Sequence, residues 1–202
     1  MSVGPALLSQ LRALTASIDG DDLLEEALSS LVASLQATVS SYCGLQLVVM
    51  SNGQSVSLTD SVPGSEAPAS SLRLPLDVMT PALPDGSRIV FFAGAPGALV
   101  DLAADLSHAL SVPMIMGRPP AADGPRTRQD GERAIRLDDD LPTDSLTPGL
   151  VGMEELSTIN RAIGVLIGQG HLPDSAHRTL RRRALAAGLE LHVFAAELLG
   201  RG

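Results

Sequence analysis

Apolar residues recur three and four positions apart at the start of the chain, at every second position in its middle, and at helical spacing again near its end. Leu7, Leu8, Leu11, Leu14 and Ile18 fall on one face of a helix. The polar stretch DGDD interrupts that pattern, and Asp22 with Glu25 has capping-box spacing for a second helix. Leu24, Ala27, Leu28, Leu31 and Leu35 form its apolar stripe. GLQLVVMSNG is a β-rich run closing on an Asn-Gly turn signal, and QSVSLTD alternates like the returning strand of a hairpin. SSLRLPLDV and SRIVFFAG predict two further strands around the turn-rich MTPALPDG. GALVDLAADLSHALSV then places Leu99, Leu102, Ala103, Leu106 and Leu110 on one helix face. Helices first, an antiparallel sheet and a closing helix predict an α+β domain over residues 1–116, with its helices on one side of the sheet.

Residues 117–150 are rich in Pro, Gly, Asp and Arg and carry almost no apolar period, so they read as a flexible linker. Within it, ERAIRL is the one stretch predicted to form a short helical or extended element. Order returns over residues 151–202. Ile159, Ala162, Ile163, Leu166 and Ile167 make a wide apolar stripe, which GQGHLP terminates. Pro173 suits the first turn of the next helix and Gly188 its C-terminal left-handed position. Leu191, Phe194, Ala195, Leu198 and Leu199 repeat the stripe on a third helix, which predicts a C-terminal three-helix bundle.

Composition narrows the function classes. With no Trp, one Tyr and three Phe, aliphatic side chains must fill the core. No apolar run reaches the roughly 18 residues of a membrane span. The N-terminus lacks a basic segment ahead of an uninterrupted apolar core, so no signal peptide is expected. Cys43, the single cysteine, has no intramolecular partner, and a reducing cytoplasm is the expected compartment. Charge is uneven. Residues 1–116 hold 3 arginines against 11 acidic residues, residues 117–150 hold 5 against 7, and residues 151–202 hold 6 against 5. A polyanion is repelled by the first part and tolerated by the last.

That last part concentrates its cations. Arg178, Arg181 and Arg182 occupy one sector of roughly 100° on the second helix. Ala176, Leu180, Ala184 and Ala187 lie opposite, toward the other helices, and Arg183 sits on the flank nearer them. Arg161 on the preceding helix adds to the same surface. Arginine is the better phosphate binder of the two basic residues, and no lysine occurs in the chain. Such a face is either solvated charge or a phosphate-binding surface.

Residues 152–200 resemble the ANTAR domain, the RNA-binding module of transcription antiterminators. That family carries A-K-G-x-L-M, then A-x-x-x-L-R-R-x-A, then L-x-x-V-A. Here Ala162-Ile163-Gly164-Val165-Leu166-Ile167 is followed by Ala176, Leu180, Arg181, Arg182 and Ala184, then by Leu191, Phe194 and Ala195, without gaps between blocks. Ile163 stands where the family usually has a basic residue, His177 where it often has an aromatic, and Leu156 where an Arg is common. The N-terminal part is similar to GAF-type sensor domains, in the succession of LRLPL, a turn, a hydrophobic strand and a closing helix. The resemblance implies a GAF-like sensor, a linker and an ANTAR-like output that binds RNA hairpins in nascent transcripts as a dimer. It implies RNA contacts by Arg178, Arg181 and Arg182, with Arg161 and His177 near loop nucleotides, and a small-molecule or protein signal at the N-terminal domain.

Other chemistries find little support in the residues. His108, His171, His177 and His192 form no metal-ligand motif, no phosphate-binding glycine pattern is present, and Asp138 to Asp140 read as solvated linker charge. No enzyme, cofactor or metal site is expected, and Cys43 reads as an inert buried thiol. A DNA-reading third helix is disfavoured by Glu190, His192 and Glu197. A second reading remains open: a protein-interaction or dimerisation module that has kept the fold without its RNA surface, as Ile163 suggests.

Overall fold

A computed structural model describes residues 4–18, 24–51, 53–116, 133–139, 141–142 and 146–200. The fold is mixed α+β, and the chain divides into two units. The first comprises Met1–Val49 with Leu58–Gly149, and the second Met50–Ser57 with Leu150–Gly202. Among the described residues no helix is long and apolar enough to cross a membrane.

In the first unit the leucine stripes become α1 (Gly4–Ser17) and α2 (Leu24–Thr38). Leu7, Leu8, Leu11 and Leu14 are buried, as are Leu31 and Leu35, while Ile18, Leu24, Ala27 and Leu28 pack at the margin. The proposed cap at Asp22 lies outside the described residues, as does Asn52 of the hairpin turn. The alternating runs form β1 (Tyr42–Ser51), β2 (Gln54–Ser61), β3 (Ser70–Pro75) and β4 (Arg88–Ala93). The closing helix is α3 (Val100–Leu110), with Leu99, Leu102, Ala103 and Leu106 buried.

Three short strands complete the sheet: β5 (Met114–Met116), β6 (Ile135–Leu137) and β7 (Gly149–Val151). Strand order is β5-β6-β3-β4-β1-β2-β7. β4 is antiparallel to both β1 and β3, and β3 is antiparallel to β6. Leu45, Phe91, Leu72 and Leu137 are successive partners across four strands, with Leu47, Ile89 and Leu74 in the adjacent row. All seven are buried in one cluster with the leucines of α1, α2 and α3. The three helices therefore cover one face of this sheet. On the other face Cys43, Val90 and Phe92 form a smaller buried cluster, against which Leu146 packs.

Two expectations are corrected here. The sheet is not wholly antiparallel, because β5 and β6 run parallel. A parallel pair needs a long crossover connection, and residues 117–134 separate these two strands. The supposed linker also contributes structure. The ERAIRL stretch carries β6, where Ala134, Ile135 and Leu137 are buried. Of the two forms expected for this stretch, helical or extended, it takes the extended one.

The acidic run that follows is likewise built into the fold. Asp138, held at φ 56°, accepts hydrogen bonds from Ser70 Oγ at 3.0 Å and from the Ser71 backbone N–H at 2.9 Å. Asp139 pairs with Arg136 at 3.1 Å, with only 13% and 16% of the two side chains exposed. Asp138, although exposed, ties the end of β6 to β3, and Asp139 pairs with an arginine of β6 itself; Asp140 lies outside the described residues.

Tyr42 yields a test of the core. Its hydroxyl is buried and has no hydrogen-bond partner among the described residues. Burial, then the nearby Asp60 and Cys43, push the phenol well above its ordinary value of 10.0. The unfolded chain therefore ionises first as pH rises, so this group's contribution is complete below pH 10.0 and declines above it. Tyr42→Phe removes an orphan polar group and is expected to raise unfolding free energy by about 1 kcal/mol at neutral pH. Urea denaturation at about pH 9 and about pH 11 checks the linkage. The variant should lose less stability over that interval than the parent; an equal loss contradicts the assignment.

A candidate nucleic-acid interface

The second unit contains α4 (Met153–Gly168), α5 (Pro173–Ala187) and α6 (Leu191–Gly200). Ile159, Ala162 and Leu166 of α4, Ala176 and Leu180 of α5, and Ala195 of α6 make one buried cluster. Ile163, Leu191, Phe194, Leu198 and Leu199 pack around it. Pro173 opens α5, where its missing N–H costs nothing. Gly188 closes it at φ 67°, and the Leu189 N–H reaches back to the Ala184 carbonyl at 3.0 Å. At the start of α4, Gly152 (φ 91°) is required, because a Cβ there would lie 2.2 Å from the Ser55 carbonyl oxygen.

The buried side of α5 is Ala176, Thr179, Leu180 and Ala184. The i, i+3, i+4 spacing of Arg178, Arg181 and Arg182 then turns all three outward, and all three are exposed. Asp174 stands one turn before Arg178 yet makes no ion pair with it. Among the described residues none of the three has a carboxylate partner. Arg161 is exposed on α4 and equally without one.

The remaining positions differ from the wheel. Arg183 and Ala187 point toward the neighbours by angle, yet both are exposed. Residues 185–188 are exposed throughout, so the last turn of α5 has no element covering it. Arg183 is thus a further exposed cation, but it lies roughly 150° around the helix from the centre of the trio and does not belong to its face. Ile167, assigned to the α4 stripe, is 40% exposed. His177 is half-buried and its Nε2 is enclosed without a hydrogen-bond partner, so this nitrogen faces inward. Ile163 is half-buried against the cluster, and this position serves packing in the present chain.

The arrangement offers exposed, unneutralised arginine side chains along one helix face, a residue type suited to bidentate contacts with phosphate oxygens. Among the described residues no group of three or more His, Cys, Asp or Glu side chains is placed to hold a metal ion. Burial raises the Cys43 thiol above its ordinary 9.0, which keeps it protonated and poorly nucleophilic. The first unit has an open groove of about 300 Å³, with Leu28, Val32 and Ala33 bordered by Glu25, Gln36 and Asp60. No protein-family model, curated protein or solved structure matches the chain.

Proposed function

We propose that the chain is a cytoplasmic, signal-responsive regulator that binds RNA hairpins in nascent transcripts and promotes transcription antitermination. In this reading a GAF-like sensor occupies the N-terminal part and an ANTAR-like three-helix bundle the C-terminal part. The observation that carries it is the exposed trio Arg178, Arg181 and Arg182, unneutralised on one face of α5. Arg161 extends the face from α4, and His177 supports it from beneath. The acidic excess of residues 1–116 leaves this face as the region where a polyanion is tolerated. One small module makes few phosphate contacts, so pairing two modules in a homodimer on two hairpins raises affinity through effective concentration. No catalytic step belongs to the proposal.

Binding of the full chain to a tandem-hairpin RNA across a salt series tests it. Three arginines from each of two modules are expected to give a log–log slope of about −5 against salt. A salt-independent affinity, or no binding by the folded chain, removes the proposal. A second reading draws on a different observation. Leu172 and Leu185 are 75% and 73% exposed, and Val165, Ile167 and Val193 also reach the surface of this unit. These apolar side chains suit a protein-interaction or dimerisation module, and failure to bind RNA favours that reading.

A further inference from the structure

The second unit contains an open groove of about 390 Å³ between the end of α5 and the start of α6. Ala184, Leu185, Leu189 and Leu191 give it apolar walls, and Gly53 with Gln54 borders it. Two opposite charges, Arg181 and Glu190, also line it. They form no ion pair with each other. Glu190 reaches only His192 Nδ1, at 3.4 Å, and its side chain stays 79% exposed. The volume falls in the range of small-ligand sites, about 300–1,000 Å³.

These charges restrict the occupant. A phosphate or carboxylate beside Arg181 would meet the Glu190 carboxylate in the same groove, so a simple anion is disfavoured. A flat, partly apolar ligand with donors on one edge and acceptors on another satisfies both groups. An ionised carboxylate accepts only, and it is best satisfied by two adjacent N–H groups. Among the four RNA bases guanine alone presents such a pair, N1–H and the N2 amine, on its Watson–Crick edge. Its O6 and N7 are the acceptors that an arginine fork grips in two-point contact. Adenine, cytosine and uracil each set acceptors beside their donors on that edge.

We infer that this groove is a guanine-binding site, in which Glu190 receives N1–H and N2–H, Arg181 contacts O6 and N7, and Leu185 and Leu189 cover the ring. The base comes either from a free guanine nucleotide or from an unpaired guanosine in RNA. Arg181 then reads a base, while Arg178 and Arg182 remain phosphate contacts.

Equilibrium dialysis of the full chain against GMP and IMP forms one arm of the test. Inosine keeps O6, N7 and N1–H but lacks the N2 amine. The second arm uses a hairpin RNA with one loop guanosine and its loop-inosine counterpart. The guanine form is expected to bind about tenfold more tightly than the inosine form in the arm that reports the natural source. Glu190→Gln, a substitution of nearly equal shape at an exposed site, should level the two forms, whereas Arg181→Lys should weaken both alike, because O6 and N7 are common to guanine and inosine. Discrimination with GMP alone identifies a free nucleotide, even where the RNA reading has failed. Discrimination with the hairpin alone identifies RNA. Equal binding of guanine and inosine forms in both arms, or no binding in either, overturns the site.

Discussion

The Arg178/Arg181/Arg182→Ala variant is expected to bind tandem-hairpin RNA on the order of a hundredfold more weakly than the parent near 0.1 M salt. Each phosphate contact removed should lower the salt slope by about 0.9, and with Arg181 on a base the plot should flatten by about two per module. Protein stability provides the control. All three side chains are exposed and without carboxylate partners, so their removal takes no packing or ion pair from the fold. Alanine is also the better helix former, and the melting temperature should be unchanged or slightly higher. An unaltered slope in a folded variant removes α5 as the phosphate surface. The double variant Arg178/Arg182→Ala separates two roles. It should flatten the slope by about two per module while keeping both the guanine binding and its preference over inosine, because Arg181 and Glu190 are intact.

Much of this architecture was legible because a long stripe records its own environment. The leucines of α1 and α2, the α3 face and the clusters of α4 to α6 recur at helical spacing, and most are buried where the pattern puts them. β1 to β4 were legible from alternation and turn residues. β6 was legible only as a short helical or extended element in ERAIRL, and β5 and β7 were not, since each spans three residues and its pairing is fixed by distant neighbours. The Asp138 carboxylate shows the same limit: its partners Ser70 and Ser71 lie far off in sequence, so its run resembled solvated charge.

The candidate interface follows this division. The outward trio is set by angle on one helix and was legible. Arg183, Ala187 and Ile167 were not, because a wheel gives direction but not how far the neighbouring element extends. The groove by Glu190 is still less accessible to sequence reasoning. It exists only once the end of α5, the start of α6 and residues 53–54 are brought together.

Gly44→Ala is expected to be the most damaging single methyl in the first unit, costing about 3 kcal/mol or more. Gly44 lies at the irregularity in the β1–β4 register, with φ at 156°. A Cβ there would stand 2.3 Å from the Asp60 carbonyl oxygen and 2.9 Å from the Ser61 Cα. Both are backbone atoms of β2, the strand that follows β1, so neither can turn aside as a side chain would. Leu146 Cδ1, at 3.0 Å, closes the remaining side. Relief therefore requires β1 and β2 to separate. Gly164→Ala adds the same methyl to the exposed middle of α4, where nothing lies within 4 Å. There helix propensity alone acts, and a gain of about 0.8 kcal/mol is expected. Urea denaturation of the two variants should show shifts of opposite sign. A small effect at Gly44 would show that β1 and β2 are not held as close as these contacts require.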